Sequence, residues 1–142
     1  MAFISITRLR VRSWRFLPVF FFYAIRSARE AARAEGNLGV RVLRESNRTF
    51  WTATSWATDA AMKKFMLAGA HRKSMTRLPH WCDEAALAHW TQDRDDLPQW
   101  NEACMRMRTE GRLSRVNHPS PAQRANQFPD PVVGRFGEMR FK

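Results

Sequence analysis

An α+β fold in the order β-α-β-β-α-β is predicted by three observations. Residues 2–12, 37–44, 49–57 and 85–91 alternate in the two-residue period of strands. Residues 13–35 and 60–79 carry apolar side chains at the three- and four-residue spacing of helices. Gly36 and Pro79 fall where those helical patterns stop, as helix-ending residues do.

The first strand, AFISITRLRVR, alternates β-branched or aromatic residues with small or basic ones. Ser13 is placed to cap the helix that follows, Pro18 fits its first turn, and the helix is expected to run to about Glu35. Its inward stripe is Leu17, Phe20 or Phe21, Ala24, Ala28, and Ala31 or Ala32, with Arg26, Arg29 and Arg33 in water. Strands Asn37–Arg44 and Thr49–Ala57 flank the polar turn ESNR and should pair antiparallel. Asp59 is a cap for a helix from Ala60 to Pro79. Asp83 and Glu84 lead into a fourth strand, Ala85–Thr91, and Asp95 or Asp96 with Pro98 starts a third helix over Gln99–Glu110.

This order is the split βαβ, or ferredoxin-like, unit, a four-stranded antiparallel sheet with both helices on one face. The third and fourth strands carry apolar residues on both sides, so the opposite face is predicted to be covered by a second copy of the chain. The expected organisation is a domain over residues 1–92, an added C-terminal helix over 93–111, and an extended or disordered arm over 112–142. That arm is rich in proline, arginine, serine and asparagine without periodicity.

The 142 residues carry a net charge of +11, unevenly spread. Residues 1–36 hold 7 basic and 2 acidic groups, residues 37–104 hold 9 and 8, and residues 105–142 hold 8 and 3. The excess lies on the first helix and the tail. It reads as a solvated face, or as a surface for an acidic partner such as nucleic acid or anionic lipid. The apolar run Phe16–Ile25 is ten residues long, half of what spans a bilayer, and no small-residue cleavage site follows it. Cys82 and Cys104 lack metal or redox spacing, which fits a reducing cytoplasm. No phosphate loop, dinucleotide fingerprint, nucleophile elbow or zinc-protease motif occurs.

Residues 49–90 concentrate four of the six tryptophans and three of the four histidines. On a straight helix Met62, Phe65, Met66 and Gly69 share one face, while Leu67, His71, Met75 and Leu78 lie nearly opposite. One sheet cannot bury both faces, so a break is expected at Ala68-Gly69-Ala70, after which His71, Met75 and Leu78 turn inward. His71 then reads as a general base, a hydrogen-bond donor to a ligand, a metal ligand, or a hydrogen-bonded structural histidine. His89, in the fourth strand, faces the helices or a partner; His80 and His118 lie outside the packed elements. Trp51, Trp56, Trp81 and Trp90 either wall a flat cavity or form core and interface.

The segment Trp56, Asp59, Ala60-Ala61-Met62, Phe65, Gly69 and the strand to His89-Trp90 resembles the dimeric α+β-barrel superfamily of antibiotic-biosynthesis and heme-degrading monooxygenases. It is most similar to spheroidene monooxygenase-like bacterial members of unassigned function, over about residues 2–92. The resemblance implies a homodimer and a cavity between the second helix and the sheet that holds a small hydrophobic or planar molecule, possible heme included. It implies monooxygenation with His71 as the catalytic residue, or as the axial metal ligand if heme binds, and a pocket of Trp51, Trp56, Phe65, Met75, His89 and Trp90. The tryptophan and heme-ligating histidine of the heme-degrading relatives fall on Phe65 and Met75 here. The other reading open is a non-catalytic homodimer with a basic surface for an acidic partner.

Overall fold

The computed structural model describes residues 1–45, 48–127 and 137–142. Strand β1 (Ala2–Val11) is followed by a 3-10 turn (Trp14–Phe16), helix α1 (Leu17–Arg33), strands β2 (Asn37–Arg44) and β3 (Thr49–Trp56), and helices α2 (Asp59–Met66) and α3 (Gly69–Trp81). Strand β4 (Cys82–Gln92), helix α4 (Trp100–Glu110), β5 (Arg112–Leu113), α5 (Pro121–Arg124) and β6 (Glu138–Arg140) complete the described chain. The central four strands run β4-β1-β3-β2, all antiparallel, as a ferredoxin-like unit requires. β2 and β3 pair as expected; of the turn between them, Ser46 and Asn47 lie outside the described residues.

The sheet has six strands rather than four. The tail supplies both additions: β5 extends the sheet beyond β4 and β6 extends it beyond β2. Segments of two and three residues are too short to show a period, so composition alone read them as an arm. Residues 128–136 of that expected arm lie outside the described residues.

Helix boundaries follow the local chemistry with four differences, one being that α4 begins at Trp100 after Gln99 with no side-chain cap, so neither Asp95 nor Asp96 caps it. Ser13 precedes the 3-10 turn and makes no side-chain cap, and α1 begins at Leu17 with Pro18 in its first turn. Thr58, not Asp59, caps α2, its side chain accepting the Ala61 amide at 3.1 Å. Pro79 lies inside the last turn of α3, which continues to Trp81, because a proline there forfeits only one bond near the helix end. At Gly36, with φ +85°, α1 turns into β2, and a Cβ would stand 2.7 Å from that of Ala61.

Strand alternation gives the sheet two different faces. Ile4, Ile6, Trp51, Ala53, Ala88 and Trp90 form one, and α4 buries it with Ala103, Cys104 and Met107. The apolar face predicted to need a second copy is thus covered by a helix of the same chain. α1, α2 and α3 lie on the other face.

At one end of the α4 side sits a buried ionic network. Glu84 accepts from Arg8 at 2.8 Å, Arg10 at 3.1 Å and the Ser120 hydroxyl at 2.7 Å. Burial pushes the Glu84 carboxyl up, but the bonds from Ser120 and Arg8 and the charges of Arg8 and Arg10 outweigh it and hold it below its usual range. Gln123 of α5 bonds both the amide and carbonyl of Ala85, which fastens the tail segment to β4. Glu84→Ala strands Arg8 in the interior and is expected to cost about 3–5 kcal/mol, against about 1–2 kcal/mol for Ser120→Ala. Urea unfolding of the two variants measures both, and equal losses would refute the central role of the carboxylate.

Candidate functional site

The break expected near Gly69 separates α2 from α3. Gly69 has φ +55°, a left-handed conformation that other residues adopt only with strain. The Ala70 amide donates to Glu30 Oε2 at 2.9 Å, so a carboxylate of α1 satisfies the start of α3. From there His71, Ser74 and Leu78 turn toward the sheet and, with α1 and α2, line a cavity of about 270 Å³; Met75, expected to turn inward with them, sits at its edge and is 41% exposed.

The floor of the cavity is polar at the middle of the sheet. Ser5 pairs with Thr54 and Thr7 with Thr52 across β1 and β3, while His89 and Leu87 of β4 lie opposite Ser5 and Thr7. These short side chains leave space where longer apolar ones would fill the gap between layers. The walls are apolar: Leu9, Phe20, Val42, Phe50, Trp56 and Trp81 all line it.

His71 stands at one end. Its Nδ1 lies 3.3 Å from the Met66 carbonyl, and its ring packs 4.8 Å from that of Phe65, which in turn packs 5.3 Å from Trp56. A carbonyl can only accept, so this contact places the proton on Nδ1 and leaves Nε2 with a free lone pair. Burial lowers the His71 pKa below the usual 6.5, against opposing effects of the Met66 carbonyl and the Glu30 charge. The imidazole is therefore neutral at pH 7. Burial, followed by the charges of Arg112 and Lys63, also lowers His89, whose ring packs 5.3 Å from Phe3.

His71, His89, Trp56, Phe65 and Met75 meet around this cavity. Trp51 and Trp90 do not, because they occupy the alternate positions of β3 and β4 and point toward α4. There Trp51 Nε1 donates to Glu45 at 2.9 Å, and the guanidinium of Arg106 lies 4.9 Å from the Trp90 ring. His80 lies outside, 5.1 Å from Phe16 and 6.4 Å from His118. Sequence reading missed the hydroxyl floor. Its signal was Ser5 and Thr7 alternating with Ile4 and Ile6, an inward strand face too polar for packed core.

Two lining groups, Ser27 Oγ and Trp56 Nε1, are buried without a hydrogen-bond partner. Cys82 is no nucleophile, since burial and then the Asp83 charge push its thiol up to about 12. No cluster of three metal-ligating side chains occurs among the described residues. The cavity of about 270 Å³ lies at the lower edge of the roughly 300–1,000 Å³ range of drug-sized ligand cavities, small for a tetrapyrrole. Arg115 is also the one arginine or lysine among the described lining residues, a poor match for two propionates.

The family described as a domain of unknown function, DUF3291, matches residues 23–131. The chain belongs to this family. No curated protein matches it. Among solved structures, it is similar to SnoaB, a cofactor-independent oxygenase from Streptomyces nogalater, at 19% identity and a TM-score of 0.54, covering 69% of this chain and 98% of that one. A proposed antibiotic biosynthesis monooxygenase from Nitrosomonas europaea is 12% identical with a TM-score of 0.58, covering 65% and 90%. Rv0793 from Mycobacterium tuberculosis is 9% identical with a TM-score of 0.59, covering 68% and 100%. At such identities the likeness shows the fold: this DUF3291 chain has the α+β fold of antibiotic-biosynthesis-monooxygenase-like proteins.

Histidines held below their unfolded value make stability depend on acid. For His71 and His89 the unfolded chain binds more protons below about 6.5, so their contribution is complete above that pH and is lost as pH falls toward the folded values. The melting temperature is expected to drop from about pH 6.5 downward. In His71→Gln the drop should be smaller, and an identical pH profile in that variant would contradict a neutral, buried imidazole.

Proposed function

We propose that the cavity binds a planar, largely apolar molecule carrying an acidic C–H or O–H group, and that His71 removes that proton in a cofactor-free oxygenation. The observation that carries this reading is the neutral imidazole at the end of an apolar cavity, with Nδ1 held by a carbonyl and Nε2 left as acceptor. SnoaB, which shares the fold, is a cofactor-independent oxygenase.

In this reading the walls exclude water and hold the substrate by contact. Deprotonation by His71 gives a delocalised anion, which supplies the electrons to dioxygen, and carbon–oxygen bond formation yields a peroxide. Loss of water from a peroxide on a methylene carbon leaves a ketone, so one dioxygen is consumed per ketone and water formed. The proton taken by His71 returns to the peroxide anion, and the hydroperoxide then breaks its O–O bond and its remaining C–H bond, the hydroxide and that second proton leaving together as water. A neutral base suits the first step because burial keeps Nε2 unprotonated at pH 7.

Anthrone, a planar tricycle with an acidic methylene, is a direct probe. Oxygen uptake and quinone formation are expected with the parent chain, and His71→Ala should slow them by about 10²–10⁴-fold while quenching of tryptophan fluorescence by anthrone persists. Quenching without oxygen uptake in the parent would instead favour the non-catalytic binding reading. Filling the cavity with Thr52→Leu should abolish both signals.

A further inference from the structure

The outward surface of the helical layer is strongly basic and carries aromatic side chains that nothing covers. Residues 12–33 and 59–81 hold ten arginines and lysines against two acidic residues. Both acids are engaged: Glu30 with Arg26 and the Ala70 amide, Asp59 with Lys63 at 3.5 Å. Pro18, Phe22, Arg26, Arg29 and Arg33 follow one another at three- and four-residue spacing along α1, and all are exposed. Trp14, just before the helix, is 64% exposed and Phe22 is 56% exposed. Trp14, Pro18 and Phe22 follow one another at four-residue spacing, so the exposed apolar groups share the side of the helix that carries Arg26.

We propose that this face docks on an anionic membrane surface, with Trp14 and Phe22 entering the headgroup boundary and the arginines facing lipid phosphates. The combination of an apolar wedge with a basic flank on one helix is what binds such interfaces. The Arg26 guanidinium lies 5.7 Å from the Phe22 ring, so the two are placed to reach phosphate and acyl boundary together. Among the described residues no helix is long and apolar enough to cross a membrane, so the attachment is peripheral. The aromatics stand on the outward side of a helix, not along a groove that would track a nucleic-acid strand and stack its bases. The Phe22 ring lies 5.4 Å from that of Tyr23, which lines the cavity. The inference rests on the surface and does not depend on the reaction assigned to His71.

Co-sedimentation with vesicles of phosphatidylcholine, with and without phosphatidylglycerol, tests it on the full chain. Binding is expected only to the anionic vesicles, and to weaken as salt is raised. The double variant Trp14→Ser/Phe22→Ser and the double variant Arg15→Glu/Arg29→Glu should each weaken it by at least about tenfold. These side chains are exposed, and far-UV circular dichroism checks that the variants remain folded. No sedimentation with anionic vesicles at low salt overturns the proposal, as does undiminished binding of the aromatic variant. Tighter binding to single-stranded DNA than to vesicles, unaffected by loss of the aromatics, overturns it in favour of a nucleic-acid surface.

Discussion

The bond from the Ala70 amide to Glu30 ties α1 to the first turn of α3, and the geometry of the cavity depends on where α3 starts. Without a fixed start, the helical run after Thr58 would present Met62 and His71 to opposite sides. Gly69 permits the change of direction, and the carboxylate, 38% exposed and also 3.8 Å from Arg26, holds it. Such a cap contributes on the order of 1 kcal/mol, modest for the whole domain but concentrated on one hinge. The same negative charge acts on His71, one residue further along, and partly offsets the effect of burial on its pKa.

The two faces of the sheet solve opposite problems. On the α4 side, alanines at 53, 86, 88 and 103 let the helix approach closely, and Trp51 and Trp90 fill what remains. On the other side, serine and threonine hydroxyls replace bulk at the middle of the sheet, so α1 and α3 rest on a rim of Phe20, Phe50, Trp56 and Trp81 and leave space between. One chain thus supplies both a packed core and a cavity. The argument for a sheet-to-sheet partner, an apolar face left bare, is removed by α4.

Much of this was legible locally. The period-two runs at 2–12, 37–44 and 49–57, the glycine at 36 and the clash of helical faces around Gly69 are short-range signals, and each has its counterpart in the fold. Placement of Trp51 and Trp90 was not legible, because alternation says that neighbours diverge without saying which face belongs to the cavity. Nor was the role of α4. Start signals at Asp95, Asp96 and Pro98 marked it as a helix, but nothing in its own residues said which surface it covers.

The sequence by itself determined the order of elements, the hinge at Gly69 and the basic character of the first helix, because periodicity, backbone freedom and charge are properties of neighbouring residues. Only the tertiary structure decided that Ser5, Thr7, Thr52 and Thr54 meet on one floor, that burial there lowers the His71 pKa, and that α4 packs on the face expected of a partner. Those outcomes depend on contacts between segments far apart in the chain. Burial and register, which set them, are fixed only when the layers assemble.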